Sequence, residues 1–178
     1  MKKSIKRVAL LVLAMTMLLG MSITASAKTK KISPKNQSFT TATKTASKKA
    51  TTIKKGTYEI TPPSKGRFYV KFKAPSTKKY SFTISNIVPK ATGSYAYTNG
   101  YFYISKVYAK NNKYIFSTKA KTEGGTTTTF WYSSKDNGYG KKLTRPLPKR
   151  TAKVKINKGE TVYLYFNTDA KAVTFTVK

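Results

Sequence analysis

RFYVKFKAPSTKKYSFTIS, Arg67 to Ser85, alternates apolar and polar residues twice and breaks once, at Ala74 to Lys79. Successive side chains of an extended chain point to opposite faces. Phe68, Val70 and Phe72 therefore share one face of a strand, and Tyr80, Phe82 and Ile84 share one face of the next. Pro75 has no N–H to give to a ladder and belongs in the connection. The stretch reads as a hairpin with a core side and a wet side carrying Lys, Tyr and Ser.

The same grammar runs through the rest of the chain. In SYAYTNGYFYIS the Asn99-Gly100 pair is a two-residue hairpin signal, because both residues tolerate the positive φ of a type I′ turn. KYIFSTK and TTTTFWYSS flank Glu123-Gly124-Gly125, VKINKGETVYLYF turns at Lys158-Gly159, and AVTFTVK puts Val173, Phe175 and Val177 on one face. After Gly56 no stretch repeats apolar residues at helical spacing over a helical length. About ten short strands separated by turn signals predict an all-β domain, a single antiparallel β-sandwich over residues 56–178.

The N-terminus has another character. MKKSIKRVALLVLAMTMLLGMSITASAKTK holds early cations, an apolar run from Val8 to Leu19 and then Ala25-Ser26-Ala27. That order predicts a secretory signal peptide over residues 1–27, cleaved after Ala27, and the apolar run falls short of the roughly 20 residues of a membrane span. Residues 28–55 are Lys, Thr, Ser and Ala with few large apolar side chains. So little apolar surface does not offset the entropy of ordering, and the segment reads as a flexible basic linker, with Ile53 positioned to begin the first strand. The sequence has no cysteine, so neither a disulfide framework nor a lipidated N-terminal Cys is available.

Four of the 36 Lys and Arg residues lie in the leader, so the remaining 32 stand against five acids, a net charge of +27. A charge of that size draws a protein to polyanions and repels its own copies, so a monomer is expected. Outside a cell the candidate partners are anionic cell-wall polymers, acidic polysaccharides or nucleic acid. Nucleic-acid association through charge alone would be non-specific.

FYVKFKAPSTKKYSFTIS, followed much later by VKINKGETVYLYF and AVTFTVK, resembles the bacterial pre-peptidase C-terminal domain and similar jelly-roll modules of secreted bacterial proteins. The likeness spans roughly Gly56 to Lys178, with the middle region, Ala91 to Arg150, departing from the family's pattern. It implies a jelly-roll sandwich without catalytic residues that helps hold a substrate or a surface. On the expected boundaries the module stands without a peptidase in front of it, a departure from the family's usual setting that leaves its role open.

Little in the composition supports catalysis. Histidine is absent, and of the five acids Glu123, Asp136, Glu160 and Asp169 sit in turn contexts while Glu59 stands alone. Asp136-Asn137-Gly138 is an Asx-type turn sequence. Glycoside hydrolysis needs two converging carboxyl groups, and the spacing provides no such pair. No nucleophile elbow or phosphate-cradling loop occurs. Zinc would want Cys and His, and calcium several clustered oxygens. No catalytic residue, cofactor or metal is expected. A hydrolase with an unfamiliar site is the remaining enzymatic alternative; it would require turnover that a change such as Glu59→Gln abolishes.

Two surface features remain. KKLTRPLPKR packs Lys141, Lys142, Arg145, Lys149 and Arg150 into ten residues with two prolines. It reads as an exposed basic loop, either merely solvated or an anion clamp. Strand parity also sends Tyr69, Tyr101, Tyr103, Tyr163 and Tyr165 away from the core, where they are good strand formers or platforms for stacking on sugar rings. Trp131 fits either side. The expected function is a secreted, non-catalytic adhesion module for anionic envelope polymers or glycans. A carbohydrate-binding module acting through the tyrosines is the alternative.

Overall fold

The computed structural model describes residues 28–38, 47–105, 118–122, 125–135 and 146–178. The signal-peptide reading lies outside the described residues, as do the Asp136-Asn137-Gly138 turn and Lys141, Lys142 and Arg145 of the basic loop. No described helix is long and apolar enough to cross a membrane.

The strands are β1 (Lys30–Ile32), β2 (Thr51–Ile53), β3 (Gly56–Ile60), β4 (Arg67–Lys73), β5 (Lys78–Val88) and β6 (Asn99–Ser105), followed by β7 (Ala120–Thr122), β8 (Gly125–Thr127), β9 (Phe130–Ser133), β10 (Arg150–Ile156), β11 (Thr161–Thr168) and β12 (Ala172–Val177). They form a seven-stranded sheet in the order β1-β3-β12-β5-β10-β7-β8 and a five-stranded sheet in the order β2-β4-β11-β6-β9. The all-β sandwich expected from the sequence is the fold. Its pairings are antiparallel except β1 with β3 and β2 with β4, which are parallel.

The Arg67–Ser85 stretch is two strands, but not a hairpin. β4 pairs with β2 and β11 in the smaller sheet, while β5 pairs with β10 and β12 in the larger one. The break at Ala74 is an arch over the end of the sandwich. The two apolar faces then meet across the core instead of lying side by side: Phe72 packs against Tyr80 at 5.0 Å and Phe82 at 5.7 Å between ring centroids. Phe166 of the small sheet meets Phe175 of the large one edge-on at 5.1 Å, and within the small sheet Phe68 stacks on Phe166 at 4.8 Å. Edge-to-face and offset pairs of this kind add to the burial of the rings themselves. The inward set, Phe68, Val70, Phe72, Tyr80, Phe82, Ile84, Phe102, Val162, Leu164, Phe166, Val173, Phe175 and Val177, is buried as parity predicts.

Two further expectations are corrected. Asn99-Gly100 is not a turn but the start of β6, with Gly100 opposite Tyr132 on one side and Thr168 on the other. Glycine is needed there for closeness: a Cβ would lie 2.6 Å from the Asn167 carbonyl oxygen and 2.8 Å from Cζ of Tyr132. The 28–55 segment also contributes structure, because β1 adds to the edge of the large sheet and β2 to the edge of the small one. Edge N–H and C=O groups of β3 and β4 find partners there, and Ile53 enters the core at 2% exposure.

Candidate binding surfaces

The outward face of the seven-stranded sheet is polar. Thr57, Thr176, Thr83 and Thr151 form a row across β3, β12, β5 and β10. Their hydroxyls link Thr57 to Thr176 at 3.2 Å and Thr83 to Thr151 at 2.9 Å. Next to this row the charge concentrates. Lys155 stands directly opposite Lys79, and Lys153 stands between Ser81 and Lys121. Lys178 extends β12 alongside Ser81, exchanging two backbone hydrogen bonds of 3.1 Å with it. Lys79, Lys121, Lys153, Thr122 and Thr151 line a shallow recess of about 450 Å³. Of the described acids, Glu59 is in an ion pair with Lys31 at 3.8 Å at the far edge of this sheet, and Glu160 accepts the Asn157 N–H. Asp169 belongs to the β11–β12 connection. Among the described residues no carboxylate pairs across the ladder with any of these lysines.

The outward face of the five-stranded sheet is aromatic. Tyr69, Tyr165 and Tyr103 face one another across β4, β11 and β6. Tyr163 stands one step along, and Tyr101 pairs with Trp131 on β9. Parity has sent all five tyrosines away from the main core, as expected, yet three are not free to stack on a ligand. Tyr69, Tyr163 and Tyr165 are 1%, 5% and 3% exposed and form a second cluster with Ala50. A single helical turn at residues 47–49 leads into this contact. The Ser47 hydroxyl lies 3.2 Å from the Tyr163 hydroxyl, and the Lys71 ammonium donates to the Ser47 carbonyl at 2.8 Å. Burial, with Tyr165 alongside, pushes the ionisation of Tyr69 well above the ordinary phenol value.

Tyr101 and Tyr103 remain half-buried at the open end of this strip. Tyr101 packs against Tyr103 at 5.2 Å and edge-on against Trp131 at 4.7 Å, and Asn167 Nδ2 donates to its hydroxyl at 2.9 Å. Trp131 thus belongs to the outer face.

The basic loop divides. Lys149 is exposed, whereas Arg150 is 2% exposed at the first position of β10. It shares the inward parity of Ala152, Val154 and Ile156, so the ladder directs its side chain between the sheets. Arg150 is corrected from the exposed anion candidates. The cationic patch on β5, β10 and β7 was missed because Lys79, Lys121, Lys153 and Lys155 are scattered along the sequence. Only the pairing of non-consecutive strands assembles them.

No family model and no curated protein matches the chain. Among solved structures it is similar, at 8% identity and a TM-score of 0.39, to CorA, a surface-associated copper-binding protein important in Methylomicrobium album BG8 copper acquisition. That match covers 72% of this chain and 98% of the other, and a likeness at this level carries no argument about what this chain does.

Proposed function

We propose that the chain is a secreted, non-catalytic binding module that holds anionic polymers of a bacterial envelope against the outer face of its seven-stranded sheet. One observation carries this reading: Lys79 faces Lys155, and Lys121 faces Lys153, in direct cross-strand pairs. Like charges in that position destabilise a sheet. A phosphate- or carboxylate-bearing polymer lying across β5, β10 and β7 turns that repulsion into attraction, and the neighbouring Ser and Thr hydroxyls supply hydrogen bonds to its oxygens. Kinship with the pre-peptidase C-terminal modules is part of the same proposal and rests on the strand pattern from Gly56 to Lys178.

The test is co-sedimentation of the mature protein with isolated bacterial walls at two ionic strengths. Binding at low salt, release at high salt, and at least tenfold weaker binding by Lys153→Glu with Lys155→Glu are the expected results, because screening removes an attraction built from exposed charges. Equal binding by the variant would overturn the assignment to this face.

The half-exposed strip of Trp131, Tyr101 and Tyr103 favours a second reading, a glycan-stacking site. Binding of that kind survives high salt and is lost in Trp131→Ala.

A further inference from the structure

Where the chain passes from one sheet to the other, three connections meet at one end of the sandwich: Lys54–Lys55 between β2 and β3, Ala74–Thr77 between β4 and β5, and Asn157–Glu160 between β10 and β11. They border a half-open recess of about 770 Å³, with the buried Ile53, Phe72 and Ala74 beneath it, the exposed Pro75 at its wall and Lys54, Lys55, Lys73 and Lys158 around it. That volume is in the range of small-molecule sites, which combine apolar walls with a few convergent polar groups.

The walls are fixed by hydrogen bonds that none of the turns could make alone. The Gly159 N–H donates to the Ala74 carbonyl at 2.8 Å, and the Ala74 N–H donates to the Glu160 carbonyl at 2.9 Å. The Lys158 N–H donates to the Thr77 hydroxyl at 2.9 Å. On the third side the Tyr58 hydroxyl donates to the Lys54 carbonyl at 3.0 Å and accepts from the Lys54 N–H at 2.8 Å. The recess is therefore shaped before anything enters it. Glu160, the nearest acid in these turns, directs a carboxylate oxygen to the Asn157 N–H at 2.9 Å. The lining itself includes four lysines and no acid.

Lysine stems are apolar and their ends are cationic, so a ring of them extends a greasy wall and places positive charge at its rim. We infer that this recess binds an anionic amphiphile: an acyl chain lies against Pro75 and the lysine stems, over the buried Ile53, Phe72 and Ala74, and a carboxylate or phosphate head sits among the ammonium groups of Lys54, Lys55, Lys73 and Lys158. The site is separate from the lysine patch on β5, β10 and β7. It takes one small molecule where that patch takes a polymer.

The experiment is titration of the isotope-labelled mature protein, followed by backbone amide shifts, with dodecyl phosphate and dodecanoate below their micelle concentrations. Inorganic phosphate and dodecyl maltoside supply the head and the chain separately. Saturable one-to-one binding of either anionic amphiphile, with shifts concentrated at residues 53–55, 73–75 and 158–159, is the expected result. The two probes also distinguish a phosphate-headed source from a free fatty acid. Lys73→Glu with Lys158→Glu should weaken binding at least tenfold, while the charge-matched pair Lys90→Glu with Lys171→Glu should change it less than twofold. Equal affinity for inorganic phosphate or for dodecyl maltoside would overturn the proposal, as would shifts spread over the whole surface or equal losses in the two charge-matched variants.

Discussion

The two outer faces of this sandwich have the same strand geometry and opposite chemistry. On the seven-stranded sheet the outward positions are Thr, Ser and Lys, open to water, with lysines opposed to lysines. On the five-stranded sheet they are largely aromatic, and Ala50 and the turn before it cover Tyr69, Tyr163 and Tyr165. One face has been made a second, smaller core, and the other has been kept wet at an electrostatic cost. An alternating strand pattern specifies which side of a sheet a residue is on; whether that side meets solvent depends on what else the chain lays over it.

The sharpest way to break the comparison is to delete one central side chain from each face. Tyr165 lies 4.9 Å from the Tyr69 ring and 6.0 Å from the Tyr103 ring, so Tyr165→Ala leaves a cavity under the covering segment. A loss of about 3–5 kcal/mol in denaturant-melt stability is expected, the range for buried aromatic truncations. Thr83→Ala, central on the opposite face, should cost less than about 1 kcal/mol. Similar losses at the two positions would show the tyrosine face to be as open as the threonine face.

A smaller effect tests how closely the tyrosine-bearing sheet is packed. Gly100→Ala forces a methyl group against the Asn167 carbonyl and the Tyr132 ring, and should cost about 1–3 kcal/mol, as overpacking generally does. If Gly100 were a turn residue, as the Asn99-Gly100 signal suggests, the same substitution would act through backbone strain at positive φ; Gly100 has no positive φ.

That position also marks the limit of what the residues reveal in order. Period-two alternation identified the inward set from Phe68 to Val177, because burial of one face is a local property of a strand. It could not separate a hairpin from an arch. In both, Phe72 and Phe82 are on the inward side, and only the partner strands differ: β11 for one and β10 and β12 for the other. The lysine patch was illegible for the same reason, since Lys79 and Lys155 become neighbours only when β5 and β10 pair. Charge density along the sequence pointed instead to KKLTRPLPKR, whose last residue the ladder turns inward. The cover over the tyrosines was hidden by composition, because Ser47 and Ala50 act through a hydroxyl, a carbonyl and a small contact and not through bulk.

Alkaline titration separates the faces by chemistry. Burial raises the ionisation of Tyr69 under its cover and of Tyr132 in the main core above the ordinary phenol value of 10.0. Below that value folded and unfolded chains both hold these protons, and stability is independent of them. Above it the unfolded chain releases them while the folded chain keeps them, so stability falls as pH rises. Roughly 1 kcal/mol should be lost through Tyr132 by pH 11. Tyr69→Phe should remove part of the slope, and an unchanged slope would mean that water reaches the Tyr69 hydroxyl. The threonine face contributes no phenol to this dependence.

The smallest effect bears most directly on function. Lys155→Glu replaces a like-charge pair with Lys79 by an opposite-charge pair at one cross-strand position. On the sheet alone this removes a repulsion and adds an attraction, so the melting temperature should rise by roughly one to three degrees at low ionic strength. Salt screens exposed charges, so the gain should shrink toward zero near 1 M salt. Wall co-sedimentation should weaken in the same variant. A substitution that stabilises the folded chain while weakening its adhesion means the lysine was retained against the interest of the fold. A variant with unchanged or lower stability at low salt would show that the repulsion is already dissipated by solvent and ions, and the opposed lysines would then cease to argue for a partner.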